Sequence, residues 1–244
     1  MKIIFFGSIR VAKDILKKII VPNKNIELLG VVCEKTVNPW RNEQNVHDFA
    51  VSNEIPILGL QEIKRLDPDL GISVRFNKII DKDIIAQFKF GIVNTHGGIL
   101  PEYRGSYCNI NALLNKDSNF GVTLHYIEEG IDTGDIVDII QIPIEDEHTG
   151  FDLYLASEKM CFDIINDNIN ELLVGKNDRI SQAELIANGR KTNTYRAKKT
   201  IAKKLIDIKQ IDNNIHVIKA FDSPHHEPAY TYINGKKIYL RVRY

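Results

Sequence analysis

The run Ile3-Ile4-Phe5-Phe6, followed at once by Gly7-Ser8, constrains the fold more than any other feature of this chain. Four consecutive apolar residues without alternation suit a strand buried on both faces, and such strands belong to parallel sheets covered by helices. After the turn, Val11, Ile15, Leu16 and Ile19 recur at helical spacing, so the chain opens as a β–turn–α unit. The pattern continues. Leu28-Leu29-Gly30-Val31-Val32, Ile55-Pro56-Ile57-Leu58, Leu70-Gly71-Ile72-Ser73-Val74 and Phe90-Gly91-Ile92-Val93-Asn94 read as further strands, with a polar helical stretch over 46–52 between them. Residues 120–127 and 135–144 read as later strands around a Gly-rich loop, and 151–173 as a long amphipathic helix. The expected fold is α/β, a Rossmann-like and mostly parallel sheet with helices on both faces.

Turn formers cluster at Gly175-Lys176-Asn177-Asp178. A catalytic domain over 1–178 and a small C-terminal subdomain over 179–244 are expected. Asn234-Gly235 lies between the alternating runs 229–233 and 237–242, which predicts a β-hairpin. Formal net charge is zero, giving the whole chain no pull toward nucleic acid or membrane. The zero hides an asymmetry. Residues 181–244 hold 13 Lys/Arg against 5 Asp/Glu, a net +8, which leaves −8 on the rest. Such a basic segment either grips an anionic ligand or is a solvated helix face. Cys33, Cys108 and Cys161 lie far apart with no CxxC pair, which fits free thiols in the cytoplasm and no metal site.

Several chemistries are excluded. After Gly7, Ser8-Ile9-Arg10-Val11 supplies neither of the further glycines a dinucleotide fingerprint needs. No Walker sequence and no GxSxG elbow occur. His225-His226 are adjacent, point in different directions and have no third ligand nearby.

The chemistry-bearing segment is Asn94-Thr95-His96-Gly97-Gly98-Ile99-Leu100-Pro101-Glu102-Tyr103-Arg104-Gly105. It follows a buried strand and so emerges at the strand's carboxyl end, where open α/β sheets bind ligands. Asn94 and His96, two apart, face one side of an extended chain. Gly97-Gly98 lets a substrate come close to the backbone. Downstream, Gly130-Ile131-Asp132-Thr133-Gly134-Asp135 forms an acidic, Gly-bracketed loop. A histidine with an unperturbed pKa of about 6.5 can take or relay a proton near neutrality. An aspartate can orient that ring, and an asparagine amide can donate to an oxyanion. Without a strong nucleophile, direct transfer is favoured over a covalent intermediate.

Asn94-x-His96 with Leu100-Pro101-x-x-Arg104-Gly105 and Gly130-x-Asp132-Thr133-Gly134-Asp135-Ile136 resembles the formyltransferases that use N10-formyltetrahydrofolate. The resemblance runs from the first strand to about residue 175; Gly97-Gly98 departs from it, since relatives often carry Pro with a small residue. It implies a catalytic trio of Asn94, His96 and Asp132 and a reduced-folate co-substrate without a metal. It also implies a folate pocket lined by Phe76, Asn77, Ile79, Ile80, Gly130 and Ile131, although Phe76 and Ile79 read equally well as core residues. The size of the C-terminal segment resembles enzymes acting on dTDP-linked sugars such as dTDP-4-amino-4,6-dideoxyglucose, used in surface polysaccharide. A diphosphate wants Lys or Arg and a base wants an aromatic shelf. Tyr103, Arg104, Lys191, Tyr195, Arg196, Phe221, His225 and Tyr230 are the candidate acceptor contacts. Tyr230 and Tyr232 either serve such a site, pack the hairpin, or bury a contact in a homodimer. Formylation of another amine, tRNA-linked or ribonucleotide, is the nearest alternative, and a non-catalytic binding module is the next.

Overall fold

The computed structural model describes residues 1–35 and 45–243. In chain order the strands are β1 (Lys2–Phe6), β2 (Glu27–Val32), β3 (Leu70–Val74), β4 (Ile92–His96), β5 (Arg104–Gly105), β6 (Asn119–Tyr126), β7 (Ile136–Pro143), β8 (Thr194–Tyr195), β9 (Ala229–Ile233) and β10 (Lys236–Leu240). The main sheet has six strands in the order β2-β1-β3-β4-β6-β7. β2, β1, β3 and β4 are parallel, whereas β6 and β7 are antiparallel additions beyond β4. This is the mostly parallel α/β sheet expected.

Alternation within β1 shows why its sequence is apolar throughout. Ile3 and Phe5 enter the main core, while Ile4 and Phe6 enter a second core on the opposite face. The main core is roofed by α1 (Arg10–Ile15), which continues into a π-helical turn over Leu16–Ile20, and by α5 (Gly150–Val174). Thr149 caps α5, accepting from Asp152 N–H while the Asp152 carboxylate accepts from Thr149 N–H. Leu153, Met160, Ile164, Ile169 and Leu172 of α5 are buried. Each contributes roughly 1.5–3 kcal/mol by leaving water. The second core is closed by the 3-10 turn Leu60–Arg65, which supplies Ile63, and by α3 (Lys82–Ile85), which supplies Ile84. Further helices are α2 (Val46–Ser52), capped by Asn45, whose side chain accepts from Asp48 N–H, and α4 (Cys108–Asn115).

Two expected strands are altered. Ile55-Pro56-Ile57-Leu58 makes only one bridge, Val31 with Ile57, on the outer edge of β2. Pro56 has no N–H, so its carbonyl accepts from Val31 and Leu58 N–H returns to Val31, and no ladder extends further. The strand predicted over 90–94 runs instead over Ile92–His96, which places Asn94 and His96 inside it.

The C-terminal segment adds α6 (Gln182–Ala187), α7 (Ala197–Ile201) and α8 (Ile215–Phe221) to the predicted hairpin. The hairpin turns at Asn234 and Gly235, both at positive φ (49° and 75°). Ile206, Val217, Ile218, Ala220, Phe221 and Ala229 all belong to the main core, so this segment shares its apolar interior with the sheet. Buried Asp222 accepts from the backbone N–H groups of Val242 and Arg243, which ends β10 earlier than predicted.

Candidate active site

Asn94 and His96 project from the carboxyl-terminal half of β4, on the same side. Asn94 lies in register between Ser73 of β3 and His125 of β6, and hydrogen bonds run across all three strands at that level. Ser73 Oγ donates to Asn94 Oδ1 (2.8 Å), and Asn94 Nδ2 lies 3.2 Å from His125 Nε2. His125 Nδ1 sits 2.7 Å from the Tyr126 carbonyl, which accepts only an N–H. The other nitrogen, Nε2, is therefore the acceptor of the neutral ring, and Asn94 donates to it. With its oxygen and one N–H taken, the Asn94 amide has a fixed orientation and one N–H left.

His96 and Asp132 meet as expected, Nδ1 to Oδ2 at 3.4 Å. His96 Nε2 is 2.5 Å from the Tyr103 carbonyl, so that nitrogen carries the proton in the neutral ring. Nδ1, bare in that tautomer, faces the Asp132 carboxylate. Asp132 adopts a left-handed backbone (φ 52°) and is tied down at two points, with its loop held at a third. Its carboxylate accepts from Gly105 N–H (2.8 Å), its carbonyl accepts from Gln182 Nε2 (2.9 Å), and Gln182 Nε2 also reaches the Gly134 carbonyl (2.7 Å). Gln182 Oε1 in turn accepts from Arg104 Nε and Nη2.

His125, 2% exposed, lies 3.6 Å from Asp132 Oδ1. Burial, then the neighbouring His96, pulls its pKa down to about 4, so it stays neutral and leaves Asp132 to His96. Cys108 Sγ is 3.6 Å from His96 Nε2, an arrangement that could suggest a nucleophile pair. Burial pushes that thiol up to about 12, and at neutral pH it is not a thiolate.

Gly97 and Gly98 differ. A Cβ on Gly98 would lie 2.7 Å from the Tyr103 carbonyl and 2.9 Å from His96 Nε2, so Gly98 permits loop packing rather than substrate approach. Among the described residues, a Cβ on Gly97 would meet only Arg75 Nη2, at 3.9 Å. Thr123 fixes this loop, donating to the Gly98 carbonyl and accepting from Leu100 N–H.

The remaining candidates fall into groups. Phe76 is half-buried with its ring edge on Phe6 (5.7 Å), and Ile80 is buried in the second core. Asn77 donates to Glu34 (2.9 Å), while Gly130 is exposed. Ile79 and Ile131 are 82% and 56% exposed, so neither is a core residue. Tyr103 stacks on Tyr195 (5.1 Å between centroids) beside the short pairing of β5 with β8. Gly105 makes that pairing possible, since a Cβ there would lie 2.2 Å from the Tyr195 carbonyl. Lys191 and Arg196 are exposed. His225 meets Phe151 edge-on (5.3 Å). The ring of Tyr230 lies between Tyr232 (5.9 Å) and Lys237 (3.9 Å) on the hairpin. Phe221 is 3% exposed inside the main core, with no face left to act as an aromatic shelf. Ser73, Thr123, His125 and Gln182 escaped the reading of the sequence. Thr123-x-His125 carries a signal like that of Asn94-x-His96, two polar residues sharing a strand face, whereas nothing near Gln182 marks it.

Among the described residues, no group of three or more His, Cys, Asp or Glu is placed to hold a metal ion. No helix among them is long and apolar enough to cross a membrane.

Comparison with known proteins gives a consistent picture. The formyl transferase family model matches residues 1–161. The methionyl-tRNA formyltransferase of Clostridioides difficile is 32% identical over 167 residues, covering 63% of this chain and 53% of that protein. That of Akkermansia muciniphila is 28% identical over 200 residues, covering 77% and 63%. The chain thus spans between about half and two thirds of the length of these relatives. Among solved structures, the N-formyltransferase of Helicobacter canadensis in complex with folinic acid and dTDP-3-aminofucose superposes with a TM-score of 0.79 at 26% identity, over 98% of this chain and 86% of that one. WlaRD, a sugar 3N-formyltransferase solved with dTDP and 5-N-formyl-THF, gives 0.78 at 28% identity, over 98% and 84%. With the Asn94–His96–Asp132 constellation in place and two thirds of its length matched, this chain belongs to the formyl transferase family.

Proposed function

We propose that this protein is an N-formyltransferase that moves the formyl group of N10-formyltetrahydrofolate to the amine of a dTDP-linked amino-dideoxy sugar. The observation that carries the proposal is the convergence of Asn94, His96 and Asp132 at the carboxyl end of β4 in a member of this family. The amine attacks the formyl carbon in its neutral form, forming the new C–N bond. The free N–H of Asn94 donates to the oxyanion of the tetrahedral intermediate. His96 takes the ammonium proton at Nδ1, where Asp132 Oδ2 stabilises the charge. The C–N10 bond then breaks, and the proton passes to N10, directly or through water. The raised Cys108 thiol supports direct transfer over an acyl-enzyme.

For the donor, Phe76, Asn77, Ile79, Gly130 and Ile131 remain the proposed lining, whereas Ile80, buried in the second core, has no side chain to offer a ligand. The exposure of Ile79 and Ile131 supports a flat apolar ligand there. For the acceptor, exposed Lys191 and Arg196 with Tyr103, Arg104, Tyr195, His225 and Tyr230 are proposed, without Phe221. The solved relatives bound to dTDP or a dTDP-sugar support the nucleotide. Their names concern 3-amino sugars, so the 3-amine stands beside the 4-amine of dTDP-4-amino-4,6-dideoxyglucose as a candidate. The methionyl-tRNA relatives favour a second reading, an aminoacyl-tRNA acceptor.

One experiment separates these. Incubation with N10-formyltetrahydrofolate and dTDP-3-amino sugars, dTDP-4-amino sugars or charged initiator tRNA, read by mass spectrometry, should add about 28 Da (one CO) to a dTDP-sugar. Addition confined to the tRNA contradicts the acceptor assignment, and addition to none contradicts the transferase reading.

A further inference from the structure

Arg75 stands out beside the trio. It follows β3 directly, at the sheet edge where parallel sheets receive ligands, and holds a left-handed backbone (φ 49°) that a non-glycine residue adopts only when its surroundings enforce it. Its guanidinium is half-buried, donates through Nη1 to Ser157 Oγ (3.0 Å) and lies over the Tyr154 ring (5.0 Å). Among the described residues it has no carboxylate partner. Nearby Arg10, in contrast, is paired with buried Glu158 at 2.5 Å. A half-buried cation without a counter-ion is costly unless an anion arrives to pair with it.

The open side of Arg75 faces the reaction centre. Among the described residues, Nη2 is the one heavy atom within 4 Å of a side chain built at Gly97, so the guanidinium lies alongside the loop that follows His96. Phe76 turns to the second core, on the side of Ile80 and Ile127, whereas Arg75 turns to α5. There Tyr154 stacks on Phe151, which meets His225. An aromatic wall therefore leads from the C-terminal segment to the catalytic loop and ends at a guanidinium.

We infer that Arg75 binds a phosphate group of the acceptor, holding it beside Gly97 so that its amine reaches His96. The inference rests on the proposed acceptor class but names a residue and a side of the sheet that the trio does not require. Guanidinium suits this task through paired N–H donors on a planar fork, and Ser157 and Tyr154 fix that plane in advance.

The test is binding, which needs no turnover. Affinities for dTDP, inorganic pyrophosphate and folinic acid are measured calorimetrically on the wild type, Arg75→Gly and Arg75→Lys. Glycine suits the left-handed backbone, so its variant removes the guanidinium while keeping the local fold, as circular dichroism checks. Arg75→Gly should weaken dTDP and pyrophosphate about tenfold or more, with folinic acid within about twofold, and Arg75→Lys should recover part of the loss. Unchanged dTDP affinity in Arg75→Gly overturns the inference. So does a loss confined to folinic acid, which would assign Arg75 to the donor's carboxylates. If the wild type binds pyrophosphate through Arg75 but not dTDP, the anion site stands and the dTDP-sugar reading falls. If it binds neither, the site itself is refuted.

Discussion

His125 sets the character of the site as much as the trio does. Its ring orients the Asn94 amide and stays uncharged beside Asp132, because burial makes protonation costly. Unfolded, the same imidazole titrates near 6.5. Between that value and about 4 the unfolded chain binds a proton that the folded chain refuses, so stability falls as pH drops through this window. The urea midpoint of the wild type should therefore decline from pH 7 to pH 4. His125→Gln, which keeps an acceptor for Asn94, should flatten that decline; equal slopes in both proteins would contradict the assigned neutrality. Asn94, His96 and Asp132 were legible in the sequence because two of them sit two apart after an apolar run and the third lies in a glycine-bracketed loop. Ser73 and His125 were not, because their place beside Asn94 depends on strand order, and sequence does not state that β4 lies between β3 and β6. Phe221 misled because an aromatic in a ligand-facing segment and one in a core read alike.

At the scale of elements, the loops that carry the proposed site are held from a distance. The segment over α6 and β8 grips them twice, through Gln182 on the Asp132 loop and through the pairing of β8 with β5. Gln182 satisfies the half-buried Asp132 carbonyl, the buried Gly134 carbonyl and Arg104 at once. Gln182→Ala should cost about 1–3 kcal/mol by leaving those groups unpaired. Turnover should fall at least tenfold as Asp132 loses its anchor, with denaturation and steady-state kinetics as the two readouts. A variant as stable and active as the wild type would show that the Asp132 turn holds itself. The strands of the parallel half were legible from their unbroken apolar runs, and the hairpin from Asn234-Gly235. The Ile55–Leu58 stretch was not a strand because Pro56 cannot donate to a ladder. The coupling of α6 to the Asp132 loop had no local signature, since the contact spans 50 residues of chain.

For the whole molecule, the charge asymmetry and the hairpin carry the remaining expectations. Tyr232 and Tyr239 are exposed on one face of the hairpin, and Ile233 and Ile238 on the other. Exposed apolar side chains on both faces of a two-stranded hairpin call for packing against something else, and a second copy of this chain is the proposed occupant. Sedimentation should show a dimer that Tyr232→Lys with Tyr239→Lys converts to a monomer, while a wild-type monomer at micromolar concentration would remove that proposal. The C-terminal segment was read as a subdomain, yet its buried residues complete the main core. Composition revealed its charge, but which core its apolar residues would join was set by packing.

The account depends on His96 as the group that takes the proton from the attacking amine. The measurement that tests it most directly is single-turnover formyl transfer by His96→Asn, with donor affinity and thermal stability followed on the same preparation. Transfer should slow by about a hundred- to ten-thousand-fold, with folinic acid binding and melting temperature close to wild type. Transfer at near wild-type rate would place the proton elsewhere and contradict the mechanism.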